Sequence, residues 1–205
     1  MEVTFGRERI RSLFGRLSDL LKRDGIRGEV LLFGGAAMLL GWNSRRTTRD
    51  IDAVFEPASK IRRLVGMIAD EEGLPTGWLN DAVKGFVDVL PARRAFRPVI
   101  FSTEHLHIYT PPPEYLIAMK SLAARTGPEH ADAEDMIFLI RAARLRSAES
   151  IFKLVRRYYP DRPIPARTRF FVESIFEEIK KRGSIPAVKR RAKRKGGNPN
   201  GTRQL

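Results

Sequence analysis

The sequence predicts an α/β fold followed by an all-helical half, and three observations support this. Short apolar runs alternate with amphipathic stretches over residues 1–110, a triple proline at 111–113 marks a boundary, and helical apolar spacing continues from there to residue 182. We therefore expect an α/β core at 1–110 and a helical half at 111–182 that completes the same cleft. The basic segment 183–205 has almost no apolar residues and is expected to be disordered.

The elements of the α/β half follow from local patterns taken in chain order. Apolar residues at helical spacing predict helices, short apolar runs bounded by Gly or Pro predict strands, and the run of small and apolar residues after Gly34-Gly35 predicts a helix packed on the sheet. The predicted helices are 7–22, 36–42 and 58–72, and the predicted strands are 29–33, 50–55, 86–90, 98–102 and 106–109, the last two forming an edge hairpin.

The second half is predicted to be helical because apolar residues recur at i, i+3 and i+4 without strand alternation. The predicted helices are 114–125, 131–144, 148–159 and 167–182.

Composition limits the classes of function. The chain has 205 residues, a net charge of +14 and no cysteine, which excludes disulfides, zinc–thiolate sites and a cysteine nucleophile. The longest apolar run, 30–42, is too short to cross a bilayer and no signal pattern precedes it, so we expect a soluble cytoplasmic protein. The tail supplies +7 of the charge, either to steer a nucleic acid or only to solubilise the chain.

The pair Gly34-Gly35, followed by Asp50-Ile51-Asp52, is the most informative motif. Glycines at a strand-to-helix turn let backbone N–H groups approach a phosphate, and two aspartates at i and i+2 on a strand share a face that can hold a divalent cation. Together they predict a site for Mg²⁺ and a nucleoside triphosphate. The alternative is a solvated strand end at which Asp50 caps a turn.

The basic turn 45–49 directly precedes the two acids. Strand alternation places Arg46 and Thr48 in line with Asp50 and Asp52, so these two are the predicted contacts to triphosphate oxygens. The alternative is a surface loop that pairs with the nearby acids.

In the helical half, Lys120 lies on an otherwise apolar helix face, and Arg125 follows five residues later. Either the Lys120 ammonium neutralises the charge of a triphosphate, or Lys120 lies at the edge of the core and extends its ammonium into solvent. Asp132 and Asp135 open the next helix; Asp132 is a candidate helix cap and Asp135 a candidate partner of Arg125. On spacing alone these alternatives stay open.

At these residues the chain resembles the minimal nucleotidyltransferases of the DNA polymerase beta superfamily, and within them the AbiEii/MenT-like toxin group. The matching segments cover about residues 28–140; they are Gly34-Gly35, Arg46-x-Thr48-x-Asp50-Ile51-Asp52, Leu116-x-x-Met119-Lys120 with Arg125, and Asp132-x-x-Asp135. The stretch Trp78-Leu79-Asn80-Asp81 resembles the same group, with no mechanism to attach to it.

The resemblance implies a mixed sheet with flanking helices, Mg²⁺ on Asp50 and Asp52, and transfer of a nucleotide from an NTP to an acceptor hydroxyl, which in toxin relatives can be a tRNA 3′ end. It also implies that Lys120 and one of Asp132 or Asp135 complete the catalytic site. The superfamily's Gly-Ser is Gly-Gly here, so the hydroxyl at position 35 is absent. Asp88, with apolar neighbours in strand alternation, is the candidate third metal carboxylate, and without it Asp132 or Asp135 is the candidate base.

The leading hypothesis is thus an Mg²⁺-dependent nucleotidyltransferase that acts on RNA or on a protein; the basic charge favours RNA, and the resemblance adds a cognate antitoxin as a candidate partner. One alternative is a degenerate nucleotidyltransferase that binds nucleotide or RNA without catalysis or serves as a partner module in a regulatory complex. Another is a basic structural protein that binds nucleic acid through its tail.

Overall fold

The computed structural model describes residues 3–44, 46–85, 99–123 and 131–183. Within these ranges it contains a five-stranded mixed sheet, a separate two-stranded sheet and seven α-helices, which confirms the predicted α/β fold class. None of the helices in the described ranges has the length and apolar character needed to cross a membrane.

The strands and helices are numbered in chain order. The strands are β1 (Phe5–Gly6), β2 (Gly28–Leu32), β3 (Thr47–Thr48), β4 (Ile51–Glu56), β5 (Leu79–Asn80), β6 (Val99–Ser102) and β7 (Leu106–Tyr109). The helices are α1 (Arg7–Arg23), α2 (Gly34–Ala37), α3 (Ala58–Glu72), α4 (Pro113–Ala123), α5 (Ala131–Ala142), α6 (Ala148–Tyr158) and α7 (Ala166–Lys181). A π-helical turn, Met38–Trp42, extends α2, and a 3₁₀ turn, Ala82–Gly85, follows β5.

The large sheet has the strand order β5-β4-β2-β7-β6. Strands β2 and β4 are antiparallel, as are β6 and β7, whereas β2 pairs with β7 and β4 with β5 in parallel. The register sets Leu32 opposite Ala53, and the N–H of Phe33 donates to the main-chain oxygen of Asp52 at 2.8 Å. The end of β2 therefore meets the beginning of β4, which brings the glycine turn and the two aspartates together.

One face of the sheet is packed against α1 and α3. Alternation sends Val30, Leu32 and Phe55 to this face, and all three are buried. The fit is close: a Cβ on Gly28 would lie 3.0 Å from a methyl of Leu21 on α1 and 3.2 Å from a methyl of Ile61 on α3. This packing fixes the strands from which the site residues project.

Helix α4 is the centre of the helical half. Its residues from Tyr115 to Leu122 are buried around its whole circumference, as expected for a helix enclosed by others. The Tyr115 ring makes an edge contact with Tyr158 of α6 at 5.1 Å between centroids and packs against Phe33 at 6.3 Å. Because Phe33 immediately precedes the glycine turn, this aromatic contact joins the helical half to the site.

The observed elements differ from the predicted ones mainly at their ends. Helix 58–72 and strand 106–109 have the predicted bounds, and the β6–β7 hairpin is present with β6 at the sheet edge. The other predicted elements that lie wholly within the described residues differ at their ends by one or two residues, which is the usual uncertainty of element ends. The short strands β1, β3 and β5 were not predicted. The predicted strand 86–90 lies outside the described residues, as does the tail from residue 184 on.

Candidate active site

The Gly34 turn and the Asp52 side chain are in direct contact. Gly34 has φ +52°, a left-handed conformation that favours glycine, and a Cβ at this position would lie only 2.6 Å from Oδ2 of Asp52. No side chain fits between this backbone and the carboxylate. The glycine is therefore required both for its conformation and for the closeness of the acid.

The Asp52 carboxyl is in an unusual electrostatic environment. Burial raises its pKa above the ordinary value, and the negative charge of Asp50 raises it further. A hydrogen bond from Asn80 and the positive charge of Lys120 act in the opposite direction. Two carboxylates that repel each other beside an ammonium and an amide form a site suited to a hard cation.

The structure puts Asn80 beside Asp52, a placement that the sequence reasoning missed. Strand β5 pairs with β4 in parallel, with Leu79 opposite Ile51 and Asn80 opposite Asp52. The only sequence signal was the unexplained segment Trp78-Leu79-Asn80-Asp81, in which two apolar residues precede a polar pair.

The residues that precede the acids lie in the small sheet. Strand β3 pairs antiparallel with β1, with Thr48 opposite Phe5. Thr48 is buried, and its Oγ1 donates to the main-chain oxygen of Asp50 at 3.0 Å, so this hydroxyl supports the turn before the aspartates. Arg46 is exposed just before β3. Their predicted contacts with phosphate stay predictions.

Arg7 anchors the helical segment that begins at the glycine turn. Its guanidinium donates to the main-chain oxygens of Leu39 and Leu40 in the π-helical turn and to Oδ1 of Asn43 at 2.9 Å. Asn43 ends the segment in a left-handed conformation. The positive charge of Arg7 is also favourable at the C-terminal end of the helical segment, where the carbonyl oxygens carry partial negative charge.

Lys120 is held between two aspartates from the neighbouring helix. Its Nζ lies 2.8 Å from Oδ1 of Asp132 and 2.8 Å from Oδ2 of Asp135. The side chain of Lys120 is only 8% exposed and that of Asp135 only 3%, whereas that of Asp132 is 53% exposed. Asp135 is thus the buried partner that fixes Lys120, and Asp132 is the acid of the pair that faces solvent.

The structure therefore brings most of the predicted residues into one neighbourhood. Asp52 lies against Gly34 and within the electrostatic influence of Asp50 and Lys120, and Lys120 in turn pairs with Asp132 and Asp135. Arg125 and Asp88 lie outside the described residues. In the part of the chain that the structure describes, no group of three or more His, Asp or Glu side chains is arranged to hold a metal ion, so Asp50 and Asp52 are a two-carboxylate pair.

A mixed sheet with a glycine turn against an Asp-x-Asp strand, completed by a lysine from a helical half, fits the nucleotidyltransferase class. A family model described as "Nucleotidyltransferase of unknown function (DUF6036)" matches residues 8–160. The match covers well over half of the chain, and the chain belongs to this family. No curated protein and no solved structure matches the chain. The finer assignment to the AbiEii/MenT-like group stays a prediction.

Proposed function

We propose that this nucleotidyltransferase uses Mg²⁺ held by Asp50 and Asp52 to transfer a nucleotide from an NTP to a hydroxyl of RNA, such as a tRNA 3′ end. The observation that carries the proposal is the position of the Asp52 carboxylate. It lies against the Gly34 backbone, within the electrostatic influence of Asp50 and Lys120. A carboxylate pair, a backbone turn and an ammonium are the parts that phosphoryl transfer requires.

The donor set fits a magnesium ion, because carboxylate oxygens are the ligands that this hard cation prefers. A bound ion would neutralise charge that develops on the transferred phosphoryl group. Like those of any helix, the first backbone N–H groups of the helical segment that begins at Gly34 have no carbonyl acceptor within that segment. They can therefore donate hydrogen bonds to a phosphate. Lys120 supplies a positive charge, and Asp135 keeps its ammonium in place.

The RNA acceptor is supported by charge and by surface chemistry. The chain carries +14, which favours a polyanionic partner over a small neutral one. Three arginines of the helical half stack on aromatic rings, and a stacked guanidinium can contact phosphate as well as base. The three pairs are Arg157 on Tyr158 at 5.5 Å, Arg162 on Tyr159 at 5.6 Å and Arg169 on Phe152 at 5.3 Å.

The test is incubation of the protein with labelled NTPs, Mg²⁺ and total tRNA. We expect label to enter the RNA and Asp52→Ala to abolish the transfer, because the substitution removes half of the carboxylate pair. Glu56→Ala is the matched control, since Glu56 is an exposed acid on the same strand at the far end from the site. Transfer that survives in Asp52→Ala would contradict the site assignment.

Calorimetry separates this proposal from a binding module that has lost catalysis. Mg-NTP that binds tightly and gives no product with RNA, protein or small-molecule acceptors would favour the module. Product that carries label only on protein would retain the transferase and reject RNA as the acceptor.

A toxin role with a cognate antitoxin belongs to the same proposal. We expect induced expression of the wild-type chain to arrest bacterial growth and Asp52→Ala to relieve the arrest. Equal growth of both strains at equal protein levels would reject the toxin role and leave the enzymatic proposal intact.

A further inference from the structure

Asn80 is placed next to Asp52 by the sheet register. Asp52 on β4 and Asn80 on β5 are Cα partners in a parallel pair, so their side chains leave the same face of the sheet as neighbours. Gly34 lies against Oδ2 of the same carboxylate. Asp52 is thus bordered by a backbone turn and by a side-chain amide.

The orientation of the Asn80 amide is fixed from its other end. The N–H of Ala82 donates to Oδ1 of Asn80 at 3.1 Å, which closes a turn between the strand and the 3₁₀ segment. Because the amide oxygen accepts this hydrogen bond, the NH₂ group is the part of the amide that can donate to a neighbouring acceptor. Asn80 is therefore a hydrogen-bond donor toward Asp52.

The segment that carries Asn80 is anchored on both sides. Nε1–H of Trp78, a buried ring, donates to the main-chain oxygen of Val65 on α3 at 3.1 Å. Oδ2 of Asp81 lies 2.6 Å from the Arg62 guanidinium on the same helix. A strand of two residues makes too few hydrogen bonds with its neighbour to fix its own register, so these contacts hold it in place. They give Trp78 and Asp81 of the Trp-Leu-Asn-Asp segment an anchoring role.

We propose that Asn80 is a positioning residue, which donates from its amide NH₂ group to the Asp52 carboxylate and holds that carboxylate in the orientation that binds the divalent cation. The inference rests on the proposed function, since it assigns Asn80 a part in the Asp50/Asp52 metal site. Hydrogen-bond partners of metal ligands commonly matter for affinity in this way.

The test is Mn²⁺ binding, measured as the loss of the free-ion signal in electron paramagnetic resonance, with no nucleotide present. We expect Asn80→Leu, which keeps the branched shape and the number of heavy atoms but loses the amide, to weaken Mn²⁺ binding about 10-fold or more. Arg62→Gln is the matched control: it loosens the same segment by breaking the Asp81 ion pair but does not touch Asp52. This control should bind Mn²⁺ like the wild type.

Thermal melting of the metal-free variants measures their folding stability, and a transfer assay measures their activity at low and at excess Mn²⁺. If Asn80 acts by positioning, excess Mn²⁺ restores transfer in Asn80→Leu, because both carboxylate ligands remain. Wild-type Mn²⁺ affinity in Asn80→Leu, with binding lost in Asp52→Asn, would overturn the role of Asn80 alone. Equal weakening in Arg62→Gln would also overturn it, since the effect would come from the segment's stability. A wild-type protein that binds no Mn²⁺ would overturn this inference and the metal site together.

Discussion

Replacing Gly34 with alanine tests the central contact of the site. The new Cβ would lie 2.6 Å from Oδ2 of Asp52, and an ordinary contact begins near 3.4 Å, so the carboxylate has to move by about 0.8 Å. A misplacement of about 1 Å can cost about 100-fold in rate. We therefore expect nucleotide transfer to fall by about two orders of magnitude and Mn²⁺ binding to weaken with it.

The same substitution also strains the backbone. A non-glycine residue in the left-handed region costs roughly 1–2 kcal/mol, and about 2–4 °C in melting temperature accompanies each kcal/mol in a chain of this size. Gly73→Ala is the matched control, because Gly73 has φ +61° and nothing within 4 Å of its Cβ position. Both variants should lose similar stability, and Gly34→Ala alone should lose transfer. Wild-type transfer and Mn²⁺ affinity in Gly34→Ala would refute the reasoning.

Two further predictions concern the charges of the cleft. Lys120→Met removes the ammonium that lies 2.8 Å from the buried Asp135 carboxylate, so chemical denaturation should show a loss of about 3–5 kcal/mol; adding Asp135→Asn should restore part of it, and equal stability of the single and double variants would contradict this. Burial and Asp50 raise the pKa of Asp52, so its ionised form costs the metal-free folded state free energy. Asp52→Asn should therefore raise the melting temperature in EDTA at neutral pH, and the gain should vanish as the pH falls toward the ordinary pKa of 3.8; a gain that persists at that pH would contradict the cause given.

The features that could be predicted from sequence are those with local causes. Helix α3 and strand β7 have their predicted bounds because an amphipathic repeat or an alternating run is complete within each segment. The approach of the glycine turn to the aspartates was also predictable, since a short helix between two strands returns the chain to the same sheet edge. The fold class rests on these local signals.

What could not be predicted depends on contacts between distant segments. The phosphate contact predicted for Thr48 stays a prediction, but the hydrogen bond from its hydroxyl to the main-chain oxygen of Asp50 could not be foreseen, because it depends on the pairing of β3 with the N-terminal strand β1. Strand β5 has two residues and no periodicity to detect, and only its pairing with β4 gives Asn80 a neighbour. The partner of Asp135 was left open for a similar reason: two helices must pack before Lys120 can reach it.

The structure changes the physical reason for Gly34. Sequence reasoning explains the glycine by the approach of a phosphate to the backbone, whereas the contact that the structure shows is with the carboxylate of Asp52. Glycine and aspartate therefore constrain each other: the residue at 34 can have no Cβ because the acid at 52 is there, and the carboxylate has its position because position 34 leaves the space. Asn80 completes this arrangement from the neighbouring strand. The site is organised around the carboxylate of Asp52, and the same constraint shapes the backbone turn that we propose as the phosphate contact.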